Sequence, residues 1–192
     1  MRFIRNILAL IGLITVAGAG WGAYRLSTDF SGFDPQAASV YWTMAKKLAE
    51  TGNPAEATVW KRKVAAGLTF EEVDESIQSV ATAMNIKDVG ALPLGDQVAA
   101  MKGAPWRKLK IYLYCNPLTA AAMIDYSDAY AAYLPCRISL LEDATGALWL
   151  YSLDMDMMIH GGKPLPEELR KEAEHVKEII LAVLDRGSKG EF

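Results

Sequence analysis

Two sulfur-bearing groups carry most of the chemistry this sequence offers. Cys115 and Cys136 are its two cysteines. In an oxidising compartment they permit one disulfide, provided their Cα atoms come within roughly 7 Å. They equally permit two inert thiols that never meet, since free cysteine is among the most buried residue types, or a reactive or metal-binding pair. Their spacing is not C-x-x-C, which excludes a thioredoxin-type motif. The second group is Met155, Met157, Met158 and His160. Thioether and imidazole are donors that suit copper, and Met157 and His160, three apart on a helix, would point one way. Core packing competes as an explanation, because flexible thioethers fill irregular gaps.

Polar and aromatic neighbours extend the set. Arg137, directly after Cys136, would lower a nearby thiol's pKa or grip an anionic ligand; its parity instead points it off the core face toward an edge ion pair. Tyr126, Tyr130 and Tyr133 could line a pocket, form a dimer surface or pack over the sheet. Asp154 with Asp156 and Asp125 with Asp128 are possible acid–base pairs, but capping and solvation account for them more simply. His175 sits in a charged helix and is expected at the surface. The ligand-binding candidates are therefore Cys115, Cys136, Arg137 and Tyr133, and the metal candidates Met157 and His160. No Walker loop, dinucleotide fingerprint, nucleophile elbow, haem-attachment or zinc motif is present, so no cofactor can be named.

These residues need a frame. Leu109 to Cys115 alternates, with Leu109, Ile111, Leu113 and Cys115 on one face and Lys110, Tyr112 and Tyr114 on the other, the pattern of a half-buried strand. Cys136, Ile138 and Leu140 share one parity of a second strand ending at Leu141. Both cysteines then fall in the register of the apolar face, at one rim of the sheet if the strands are neighbours. Asn116 and Pro117 open a helix through Ile124, and a second helical piece carrying the tyrosines stops before Pro135. Glu142 to Gly146 forms a hairpin loop, and Ala147 to Leu153 returns with Trp149 and Tyr151 on one face. Asp154 to Ile159 makes a short helix that Gly161 and Gly162 end. Pro166 starts a long final helix with a stripe of Leu169, Ala173, Val176, Ile180 and Leu184. Glu167 and Glu168 lie at its start, Arg186 at its end and Gly187 beyond, in agreement with the helix dipole and cap rules.

Upstream, Asp34 and Pro35 open a helix as N-cap and first residue. Val40, Tyr41, Met44 and Leu48 recur at helical spacing as far as Gly52. Asn53-Pro54 is a break, and Trp60 to Ala65 a short strand. Thr69 and Glu72 form a capping box for a helix through Asn85, with Val73, Ile77, Val80, Ala81 and Met84 on one face. Ile86 to Leu92 fits a strand and Leu94 to Met101 a short helix.

The first residues supply an address. Ile7 to Tyr24 is an uncharged run of 18 residues, which as a helix spans ~27 Å, close to a ~30 Å hydrocarbon core. Trp21 and Tyr24 suit an interfacial belt, and Arg2 and Arg5 before the run against Arg25 after it favour an inside N-terminus. A cleaved signal peptide competes, with Ile7 to Val16 as its apolar region and Ala17-Gly18-Ala19 as its cleavage site. A buried helix of a soluble fold is the third reading; in the first two, the body of the chain is expected outside the cytoplasm, on the periplasmic side of a bacterial inner membrane. At 192 residues with a formal net charge of -3, one domain plus an attached segment is the natural count, and the lack of a basic stripe argues against a nucleic-acid partner.

The order Cys-Asn-Pro, Leu-Pro-Cys-Arg, an acidic turn ending in Gly, an apolar strand and a Met-rich segment before Gly-Gly resembles the domain-of-unknown-function 302 family. The matching stretches are Tyr114 to Leu118, Tyr133 to Ser139, Glu142 to Leu150 and Leu153 to Gly162, within a resemblance covering roughly Val59 to Phe192. It implies an α+β fold, one antiparallel sheet covered by helices, and a tendency to pair as homodimers; it implies no activity and no catalytic residues. The expected organisation is an anchor or signal over residues 1–25, a linker and helical extension over 26–58, and the α+β domain over 59–192. The expected function is a membrane-anchored binding or accessory module, with a homodimer or a larger membrane complex as partner. The alternative is a thiol- or metal-dependent redox protein using the rim formed by Cys115 and Cys136.

Overall fold

A computed structural model describes residues 2–192 of the chain. Its first helix, α1 (Arg2–Asp29), contains no buried residue and is long and apolar enough to cross a membrane. It continues past Arg25, so the expected linker shrinks to a turn after Asp29; the Thr28 hydroxyl donates to the Tyr24 and Arg25 carbonyls within the added turn. Helix α2 (Ala37–Thr51) ends on Gly52, whose φ of 64° is the left-handed conformation glycine adopts without strain. The Asn53-Pro54 break holds a further one-turn helix, α3 (Pro54–Ala57), capped by the Asn53 side chain.

The remainder is α+β. Strands β1 (Val59–Lys63), β2 (Lys87–Leu92), β3 (Leu109–Cys115), β4 (Cys136–Glu142) and β5 (Leu148–Leu153) make one five-stranded sheet in the order β1-β5-β4-β3-β2, every neighbour antiparallel. Helix α4 (Phe70–Ala83) begins at the expected capping box, with both reciprocal bonds between Thr69 and Glu72 formed. Helices α5 (Leu94–Lys102) and α6 (Pro117–Tyr126) lie between strands, α7 (Asp156–His160) follows the last strand, and a 3-10 segment, Asp128–Tyr133, carries most of the tyrosine run. Helix α8 (Glu167–Gly187) buries the whole predicted stripe and packs with α4 over one face of the sheet.

That face is not the one the alternation in β3 suggests. Tyr112 and Tyr114 are 2% and 1% exposed, whereas Ile111, Leu113 and Cys115 remain half-buried on the opposite face. Large aromatic side chains bury more surface than the aliphatic ones, and Lys110 follows them inward only as far as the Asp74 carboxylate of α4, 2.7 Å from its ammonium. The core therefore lies between Tyr112, Tyr114, Ile138, Leu140 and Leu150 on the strands and Val73, Ile77, Val80, Ile180 and Leu184 on the helices.

A second correction concerns Gly187. Rather than capping α8, it is the helix's last residue; a Cβ there would stand 3.1 Å from Ile77 Cγ1 and 3.4 Å from Leu150 Cδ1. It is a close-approach glycine, and Ser188 follows in helical conformation.

Candidate functional site

The site is built where β3, β4 and β5 run out under the covering helices. In β4, Cys136 is paired with Tyr114 and shares the covered face. Cys115, the next residue of β3, has the opposite parity, so the expected common register of the two cysteines does not hold. Both thiols are free and half-buried. They still meet one cavity of about 30 Å³, which Cys115, Cys136, Thr119, Met123, Tyr130, Met155 and others line.

Cys136 is also part of the wall between this space and a second cavity of about 50 Å³, lined by Val40, Met44, Tyr133, Cys136, Arg137, Met155, Met157 and Met158 together with Thr58, Ser152, Leu153 and Asp154. Tyr133, Cys136, Met155 and Met158 belong to both walls. Outside them a shallow cleft of about 430 Å³ runs along Tyr41, Tyr126, Tyr130, Tyr133, Met157 and Met158. Tyr130 is held there by donating its hydroxyl to the Met158 carbonyl at 3.0 Å, which ties the 3-10 segment to α7.

The electrostatics are those of an apolar pocket. Burial pushes the Cys136 thiol up to about 11; Cys115 adds to that rise and Arg137 opposes it. Burial likewise raises the Cys115 thiol, with Lys87 pulling against it. The Asp154 carboxyl is raised by burial, partly offset by the hydrogen bond it accepts from the Asp156 amide at 3.0 Å. Buried thiols with raised pKa values are inert at neutral pH, opposite to the lowered values of nucleophilic or redox cysteines.

The ligand-binding candidates Cys115, Cys136, Tyr133 and Arg137 thus border adjoining cavities, with Arg137 exposed as its parity requires. The two metal candidates are separated. Met157 lines the larger cavity and the cleft, whereas His160 lines none of the three spaces. His160 is 3% exposed, its Nδ1 lies 3.3 Å from Asp34 Oδ2 and its Nε2 3.8 Å from Glu174 Oε1. Helix α7 is only five residues long and enters from a turn, so a three-residue spacing does not decide what its ends face. Among the described residues no group of three or more His, Cys, Asp or Glu side chains is arranged to hold a metal ion.

Several lining residues, among them Thr58, Ser152 and Met123, were not foreseen, and two others come from outside the strands and their covering helices. Val40 and Met44 come from α2 and close the larger cavity from a segment outside the sheet domain. Their helical spacing marks an apolar stripe, of which Tyr41 and Leu48 stay exposed while Val40 and Met44 are half-buried, but does not say against what it lies.

A family model, domain of unknown function DUF302, matches residues 60–187. The chain belongs to the DUF302 family. Among solved structures, the DUF302 domain is similar to the crystal structure of an uncharacterized conserved protein DUF302 from Bacillus stearothermophilus, with 17% identity and a TM-score of 0.53 over 67% of this chain and 97% of that one. That likeness carries the fold, an antiparallel sheet with helices. No curated protein matches the chain. Helices α1 and α2 lie outside the residues the DUF302 model matches, so the cover that Val40 and Met44 provide is an addition to the family domain in this chain.

Proposed function

We propose that this DUF302 domain is a binding module held at the outer side of a bacterial inner membrane by α1, taking a ligand of very few atoms in the cavities between Tyr133, Cys136, Met155 and Met158. The observation that carries this reading is the shared wall: four side chains from three separate segments border two adjoining apolar spaces. Arg2 and Arg5 ahead of the apolar helix, against Arg25 behind it, support the orientation. The raised Cys136 thiol favours binding over redox turnover at the same residues. The open face of the sheet, with half-exposed Ile111, Leu113, Leu141, Trp149 and Tyr151, supports pairing with a second copy.

Access to the cavity is testable with the full chain in mild detergent. In a Cys115→Ser background, neutral methyl methanethiosulfonate should modify Cys136 at mildly alkaline pH, and a bulky charged maleimide should not. Met158→Phe or Met158→Trp should slow the small reagent by about tenfold or more, since overpacking costs ~1–3 kcal/mol and 1.4 kcal/mol is tenfold. Equal rates for both reagents would make Cys136 a surface thiol. No reaction with either, while the unfolded chain labels readily, would make it sealed core. Either result rejects the proposal.

A further inference from the structure

We propose that the larger cavity is a site for one soft monovalent cation, Cu(I) or its redox-inert mimic Ag(I), held by Cys136 with Met155, Met157 and Met158 and closed by Met44. This rests on the reading of that cavity as a binding space and names its occupant.

Four of the chain's 8 methionines and one of its 2 cysteines line this single space. Its volume of about 50 Å³ decides between ligand classes. An engineered apolar cavity of ~150 Å³ holds benzene, and this space is about a third of that. The space therefore suits an ion or a ligand of very few atoms better than an aromatic one. A hard cation such as Mg²⁺ or Ca²⁺ would need oxygen ligands or retained waters. This wall supplies sulfur, with only Thr58, Ser152, Tyr133 and the carboxylate of Asp154 as side-chain oxygen donors among the lining residues. Thiolate and thioether ligands select Cu(I). The imidazole that Cu(II) or Zn²⁺ would want is turned away, with His160 Nδ1 directed at Asp34.

Charge balances within the site. On binding, the Cys136 S–H bond breaks, a sulfur–copper bond forms and the proton leaves to bulk water, so a thiolate and a monovalent ion give a neutral centre. The copper stays Cu(I), and no oxidant or reductant is consumed. Arg137 and the Asp154 carboxylate also border the cavity; Arg137 is exposed, where solvent and salt screen its charge, and the carboxylate has the sign that favours a cation. Because Met44 lies on α2, outside the matched DUF302 residues, the completed site would be a property of this chain's extension.

The test uses metal-free full-length protein in mild detergent under argon, with Cu(I) supplied as its acetonitrile complex against bicinchoninate as competing chelator. One Cu(I) per chain should be retained, with an ultraviolet sulfur-to-copper charge-transfer band, and Zn(II) should not be. Cys136→Ser, and separately the near-isosteric pair Met155→Leu with Met157→Leu, should weaken retention at least about tenfold, the smallest loss expected when even a supporting partner of a metal ligand is removed. Cys115→Ser should leave it unchanged. No retention, retention that survives both sulfur-removing variants, or retention lost with Cys115→Ser would each overturn the assignment. If methyl methanethiosulfonate reaches Cys136 but Cu(I) is not held, this inference alone fails; if neither enters, the cavity reading falls with it.

Discussion

His160 and Asp34 stand 126 residues apart in the chain and 3.3 Å apart in space, the imidazole Nδ1 against the carboxylate Oδ2. Asp34 sits in the short turn between α1 and α2, so this contact fastens the segment next to the long apolar helix α1 onto the α7–α8 junction. The Asp34 amide donates to the Gly162 carbonyl at 2.8 Å, and the Tyr41 hydroxyl donates to the Gly161 carbonyl at 2.7 Å. Burial alone would raise the Asp34 carboxyl, but the Gln36 amide bond, His160 and Arg170 outweigh it and hold the group below its ordinary value.

Breaking this fastening should free the segment without unfolding the sheet. Asp34→Ala removes the partner of a buried imidazole, and losses of that kind cost ~1–3 kcal/mol. Limited proteolysis should then cut between Arg25 and Tyr41 faster than in the parent chain, while strand circular dichroism stays the same. An unchanged cleavage rate would show that the Asp34 amide and Tyr41 hydroxyl bonds hold the segment without the imidazole–carboxylate contact.

Tyr112 and Tyr114 make a controlled pair, neighbours on one face with stacked rings 6.4 Å apart. The Tyr112 hydroxyl donates to Asp74 Oδ1 at 2.9 Å, whereas the buried Tyr114 hydroxyl finds no partner among the described residues. Tyr112→Phe should therefore cost ~1.5–3 kcal/mol, the worth of a hydrogen bond to a charged group, and Tyr114→Phe should be neutral or stabilising. Urea denaturation of both variants checks the order; a greater loss for Tyr114→Phe would contradict it.

The hairpin between β4 and β5 hangs on Asp143, whose Oδ1 accepts from the Thr145 amide, the Thr145 hydroxyl and the Ala147 amide, and whose Oδ2 accepts from Trp149 Nε1. The Thr145 hydroxyl foremost, working against some desolvation and joined by the other donors, lowers the carboxyl to about 2. A group with a depressed folded-state pKa contributes its stability above its unfolded value and loses it as pH falls through the folded one. The Thr145 and Ala147 amide resonances should accordingly titrate near about 2 and not near the ordinary aspartate value, and Asp143→Asn should abolish that step.

Gly187→Ala sets two effects against each other. Alanine gains ~1 kcal/mol of helix propensity, but its Cβ would press on Ile77, which is fully buried and β-branched, and on the equally buried Leu150. Overpacking of that kind costs ~1–3 kcal/mol, so the variant should melt at a lower temperature. A higher melting temperature would mean that α4 and α8 can separate at small cost.

Local chemistry was enough to read from the chain wherever the cause lies within a few residues. Thr69 and Glu72 cap α4, Asn116 caps α6, and the five apolar residues of α8 fall on one buried line, because caps and helical periodicity are short-range properties. The order of elements and the family features around Cys136 followed from the same kind of signal. Tertiary structure alone decided which side of β3 is covered, since alternation defines two faces and both of these are apolar; the aromatic one won by area. It also decided that Cys115 and Cys136 approach one cavity from opposite parities, that Met44 closes the neighbouring space, and that His160 turns to Asp34 instead of Met157. Each of these depends on how α2, α7 and α8 pack against the strand ends, and packing between distant segments leaves no periodicity in the sequence.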